Sequence, residues 1–129
     1  MYNSLWYQNL NKPLLNPPSW VFPPVWLVLY TSIVISLLIY IFTKSENNKT
    51  NGYIYFSAQM ILNIIWSPAF FYSKNIALAL VIVVLMVIFT ILTIKEFYKV
   101  SKISSLILIP YLLWILFATY LNTAYLILN

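Results

Sequence analysis

Four stretches of the chain, Val21–Phe42, Tyr53–Tyr72, Ile76–Ile94 and Ser105–Leu128, contain no Asp, Glu, Lys, Arg or His at all. Each is long enough, at ~1.5 Å per helical residue, to cross the roughly 30 Å hydrocarbon layer of a bilayer. A soluble domain could not hide this much apolar chain, since 63% of the residues are hydrophobic and only 7% charged. The reading is an all-α membrane protein, a compact bundle of four transmembrane helices at about 21–42, 53–72, 76–94 and 105–128. The links are short: Thr43–Gly52 is polar with a closing glycine, Ser73–Asn75 is a tight turn, and Lys95–Ser104 carries three lysines and a glutamate. A single transmembrane domain over residues 1–129 is expected, with residues 1–20 as a separate segment ahead of the first helix.

That segment is unusual. Residues 6–26, WYQNLNKPLLNPPSWVFPPVW, hold Trp6, Trp20 and Trp26 together with Pro13, Pro17, Pro18, Pro23 and Pro24. It lacks the basic start, short apolar core and cleavage site of a signal peptide, so it reads as a stiff aromatic strap retained in the protein.

Orientation follows from the lysines, because basic loops stay cytoplasmic. Lys12 and Lys74 fall on one side, and Lys44, Lys49, Lys95, Lys99 and Lys102 on the other. Both termini and the strap are therefore expected on the non-cytoplasmic face, as in a multi-pass protein of a prokaryotic cell membrane.

The missing residue types exclude much chemistry. The chain has no histidine, cysteine or arginine, and its only acids, Glu46 and Glu96, lie in the lysine-rich links. No metal set, intramembrane proton relay or general acid–base pair can be assembled within the spans. The net charge of +5 comes wholly from lysines in membrane-facing loops, which does not describe a nucleic-acid surface. A ligand would have to be held by aromatic surface, amides and hydroxyls.

Such groups share helical faces. Tyr55, Gln59, Asn63, Trp66 and Phe70 recur at helical spacing in the second span, and Tyr111, Trp114, Ala118, Asn122 and Tyr125 do so in the last. Trp26 and Tyr30 are one turn apart in the first span, whereas Ile76–Ile94 is aliphatic but for Thr90 and Thr93. Plainer readings stand beside the ligand reading. Trp6, Trp20, Tyr40 and Tyr72 suit an interfacial belt, Gln59 and Asn63 suit helix-to-helix bonds, and Pro68 and Pro110 suit kinks or helix starts. Convergence of the three faces on one cavity under the strap would suit a large flat apolar ligand.

Three blocks in order, WY..L.KP...PP.WVF.PVW..LY at Trp6–Tyr30, Q..LN..WSP.FF at Gln59–Phe71 and PYLLW..FATYLN at Pro110–Asn122, make the chain resemble the tryptophan-rich sensory protein or translocator protein (TspO/MBR) family. The resemblance implies a porphyrin or related hydrophobic ligand in an intrabundle pocket, with the strap as its lid. It assigns Tyr7 and Pro17 to the lid, Trp26 and Trp114 to the indole donors, and Asn63 and Trp66 to the neighbouring wall. Ala118 becomes the small residue beside Trp114. Tyr30, Phe70, Phe117 and Asn122 complete the candidate set.

The resemblance implies five helices, the first of them ahead of Trp6, where this sequence has five residues; the expectation is either a natural four-helix form or a start assigned too late. No basic residue follows Tyr120 or Tyr125, so the proposed sterol motif is incomplete and sterol transport is not expected. No cofactor is implied; a porphyrin such as protoporphyrin would be the ligand, and a homodimer is left open. Three functions compete: a tetrapyrrole receptor or carrier, a light-dependent porphyrin-degrading activity driven by the ligand's own photochemistry, and a structural membrane protein without ligand.

The lysine count generates a direct test. A reporter that is active only in the cytoplasm, fused after Asn129, is expected to stay silent, and full signal would reverse the orientation.

Overall fold

The computed structural model describes residues 6, 9–10, 19–72 and 74–129. Among these, every regular element is helical. A 3₁₀ turn, Ser19–Val21, leads into α1, Phe22–Phe42; α2, Thr50–Ser67, continues into a π-helical turn, Pro68–Tyr72; then come α3, Ile76–Val100, α4, Lys102–Ile107, and α5, Ile109–Leu128. Three runs are long and apolar enough to cross a membrane: Phe22–Phe42, Ile76–Val100 and Lys102–Leu128. The helix that was expected at 53–72 is present but is more polar, with Gln59 and Asn63 buried inside it.

Prolines and small polar side chains set the helix ends. Pro23 and Pro24 sit in the first turn of α1, where a missing N–H costs no bond. Pro68 cannot donate to the carbonyl one turn back, so the α-helical ladder of α2 breaks there and the chain opens into the wider π turn. Lys74 takes a left-handed conformation, φ 52°, which turns the chain sharply. Asn75 then caps α3, its side chain accepting from the Leu78 N–H at 3.0 Å.

The structure moves several expected bounds. α2 starts at Thr50 and not near 53, and the helix expected at 105–128 starts at Lys102 and is divided at Leu108, ahead of Pro110, which has no N–H to continue the ladder. One helix is lengthened most. α3 does not stop near Ile94 but continues through Lys95–Val100. Lys95, Glu96 and Lys99 are good helix formers, and Glu96 pairs with Lys99 at 3.3 Å across one turn. The break between α3 and α4 is the single extended residue Ser101, whose side chain caps α4 by accepting from the Ser104 N–H at 3.3 Å.

α2 and α3 form a closely packed hairpin, α3 packs on α4 and α5, and α1 packs on α4 and α5. α1 and α4 meet through two serines. Ser36 Oγ donates to the Ser104 carbonyl at 2.7 Å, and Ser104 Oγ donates to the Ser36 carbonyl at 2.7 Å. Both are fully buried, and only small side chains let two backbones come this close. Further along, Tyr40 is stacked on Phe97 with centroids 3.9 Å apart and donates to the Lys49 carbonyl at 3.0 Å. Gly52 lies flat against that ring: a Cβ there would stand 2.8 Å from Tyr40 Cζ.

Close approach rather than bonding alone holds α1 to α4. Ser104→Ala is therefore expected to cost about 0.6 kcal/mol, the size of an interhelical bond in a membrane protein. Ser104→Leu should cost about 1–3 kcal/mol by overpacking. Unfolding in mixed detergent micelles measures both, and equal losses would remove the close-approach argument.

Candidate functional site

At the end of the bundle where α1 begins, α2 ends, α3 begins and α5 ends, the interior is aromatic. Phe22, Phe70 and Tyr125 are buried there, and Trp6, Trp26, Trp66, Trp114 and Phe117 pack around them. Trp26 and Trp114 meet edge to face with centroids 6.3 Å apart, Phe22 approaches Trp114 at 5.9 Å, and Trp26 lies 5.5 Å from Tyr30. On the other side Trp66 stacks on Phe70 at 5.3 Å. From the strap, Trp6 sets its ring against Phe70 at 5.5 Å.

The polar groups of these faces are bonded between helices. Tyr30 Oη donates to Asn63 Oδ1 at 2.5 Å, Asn63 Nδ2 donates to Tyr111 Oη at 2.8 Å, and Tyr111 Oη donates to Gln59 Oε1 at 2.8 Å. This chain ties α1, α2 and α5 together. Nearer the aromatic end, Trp66 Nε1 donates to Asn122 Oδ1 at 3.1 Å, and Asn122 Nδ2 donates to the Ile76 carbonyl at 3.0 Å, which joins α2, α5 and α3.

Among the described residues two buried side-chain groups lack a hydrogen-bond partner, the Thr90 hydroxyl on α3 and the Trp114 indole on α5. An unmet buried donor costs about 1–3 kcal/mol, and the Trp114 indole sits in the aromatic cluster beside Trp26.

Of the residues singled out from the sequence, Trp26, Trp66, Phe70, Trp114 and Phe117 lie together in the cluster, with Asn122 bonded to it through Trp66. Tyr30 and Asn63 are brought together one layer deeper. Ala118 packs against the neighbouring core formed around Tyr111 and Ile115. Tyr7 and Pro17 lie outside the described residues. The central part of Tyr111 and Gln59 was not among the candidates. Both stood on the right helical faces, but nothing in spacing alone shows that Tyr111 is where the amides of α2 converge.

The TspO/MBR family model matches residues 1–128. The chain belongs to the TspO/MBR family. It is 43% identical over 127 residues to the tryptophan-rich protein TspO of Chlorobaculum tepidum, covering 98% of this chain and 80% of the relative. It is 37% identical over 117 residues to the tryptophan-rich sensory protein of Cereibacter sphaeroides, with 91% and 72% covered. It is 34% identical over 121 residues to the human translocator protein, with 91% and 70% covered. Family membership and the three long apolar helices make this an integral membrane protein. The TspO/MBR bundle thus carries four of its tryptophans, Trp6, Trp26, Trp66 and Trp114, around one buried aromatic patch.

Because Asn63 accepts from Tyr30 and donates to Tyr111, its removal strands the Tyr30 hydroxyl and takes from Tyr111 one of its two amide partners, leaving Gln59. Asn63→Ala is expected to lower stability by about 1–2 kcal/mol, and Tyr30→Phe, which removes one exposed end of the chain of bonds, by about 0.6 kcal/mol. Equal unfolding midpoints for Asn63→Ala and the unaltered protein would show that the network contributes nothing.

Proposed function

We propose that this TspO/MBR protein is a membrane receptor or carrier that binds a flat apolar ligand of the porphyrin or tetrapyrrole class against the Trp26–Trp114 pair. The observation that carries the reading is the buried Trp114 N–H, which has no partner among the described residues. In a cluster where the Trp66 indole is bonded to Asn122, a donor left open beside a second indole suits a ligand that brings its own acceptor and a broad π-surface. The names of its relatives, sensory protein and translocator protein, fit a protein that binds and signals or carries.

In this reading α2 with its π turn forms the fourth span of a single transmembrane domain, both termini are non-cytoplasmic, and the strap closes over the ligand. The contact of Trp6 with Phe70 supports the last point. Prolines in the strap restrict its open state, so closure orders less chain.

The indoles supply the test. Trp114→Phe keeps an aromatic ring and removes the open donor, so porphyrin affinity should fall about threefold to tenfold, the equivalent of one net hydrogen bond. Trp66→Phe should leave affinity close to unchanged, because its N–H serves Asn122. The double variant Trp26→Phe with Trp114→Phe should show coupling, since both residues would touch one ligand. Absorbance titration under dim light measures all of these. Unchanged affinity in Trp114→Phe would remove the assignment, and absence of porphyrin binding by the unaltered protein would remove the function.

A further inference from the structure

The opposite end of the bundle has different chemistry. It holds Lys44, Lys49, Lys95, Lys99 and Lys102 against Glu46 and Glu96, five cations to two acids. Two of these lysines are committed. Lys49 Nζ donates to the Ile41 carbonyl at 3.1 Å and to the Thr43 carbonyl at 2.5 Å, and lies 5.5 Å from the centroid of the Tyr40 ring. It therefore caps the end of α1. Lys99 is held by Glu96. Lys44, Lys95 and Lys102 are exposed and make no ion pair among the described residues.

Lys44 and Lys102 belong to the same edge of the bundle. Phe22 of α1 meets Trp114 of α5, and Ser36 of α1 meets Ser104 of α4, so α1 runs antiparallel to the α4–α5 rod. Lys44 follows the end of α1, and Lys102 opens α4, which brings both to the same rim. Below that rim the two helices present large apolar side chains outward: Phe42 is 79% exposed, Ile103 65% and Leu106 52%. Lys95 is exposed on α3, one helix removed from α1 and its end at Lys44.

We propose that Lys44 and Lys102 hold the headgroup of an anionic phospholipid at this rim, with its acyl chains lying on Phe42, Ile103 and Leu106. The charge selects the headgroup, and the exposed apolar groups beside the lysines select a lipid over a soluble anion. A free phosphate would be attracted by the lysines but would leave Phe42 and Ile103 uncovered. An anionic lipid satisfies both at once, and juxtamembrane lysines each strengthen such attraction severalfold. This site is separate from the tryptophan cluster and does not depend on what binds there.

The test uses the full chain in lipid nanodiscs of phosphatidylcholine alone or with added phosphatidylglycerol. Thermal unfolding is followed by tryptophan fluorescence, and retained lipid by native mass spectrometry. Phosphatidylglycerol is expected to raise the midpoint and to remain bound. The double variant Lys44→Gln with Lys102→Gln should lose that shift, with retention falling about fivefold for each lysine removed. Lys44→Arg with Lys102→Arg should keep it. A control that removes the same charge elsewhere, Lys74→Gln with Lys95→Gln, should also keep it. Equal loss in the control would reduce the effect to general surface potential and overturn the site. No stabilisation of the unaltered protein by phosphatidylglycerol would overturn it too, as would an equal shift from inorganic phosphate in phosphatidylcholine discs.

Discussion

A polar group buried in a bundle that spans a bilayer must find its partner in the protein, because hydrocarbon offers none. Much of this structure follows from that constraint. Backbone groups meet it by being helical almost throughout the described residues. Side chains meet it between helices: Ser36 with Ser104, Asn63 with Tyr30 and Tyr111, Tyr111 with Gln59, and Trp66 with Asn122. Each pair fixes the rotation of one helix against another, since a slip of one residue would turn the polar group toward lipid. The amides that look like ligand contacts thus also hold the bundle in register. Against this background the Trp114 N–H, without a partner among the described residues, carries more weight than the number of tryptophans around it.

The prolines act on the same constraint from the backbone side. Each removes a donor and so is tolerated where a donor has nothing to meet, as at the start of α1 and in the first turn of α5. Pro68 is different, because it falls where α2 would otherwise run on. The π turn that follows places Phe70 inward, where it touches Trp6, Trp66 and Tyr125. A helix break is therefore what joins the strap to the interior of the bundle.

The two ends of the molecule divide the available chemistry. The end with the strap is aromatic and has no acid, while the other end holds both glutamates and most of the lysines. There Tyr40, Phe97 and Phe56 stack as a solid plug and Gly52 admits the Tyr40 ring. The aromatic groups at this closed end are matched to one another and to backbone carbonyls. Those at the strap end include a donor, Trp114 Nε1, without a partner among the described residues, and that asymmetry marks the candidate site.

Much of this was legible before any coordinates. Charge-free stretches dictate helices of membrane length, since nothing else satisfies a backbone in hydrocarbon. The motifs around Trp26, Trp66 and Trp114 identify the family, and helical spacing puts the aromatic and amide residues on common faces. Three things depended on tertiary structure. Helix α3 continues to Val100, because a local ion pair and good helix formers outweigh the polar composition that suggested a loop. Tyr111 is the meeting point of the amides, and the Trp66 and Trp114 indoles differ in that, among the described residues, only the first has a partner. Periodicity assigns a residue to a face of its own helix. Which atom it meets depends on how far neighbouring helices are rotated and shifted against each other, and that is decided by the packing of the whole bundle.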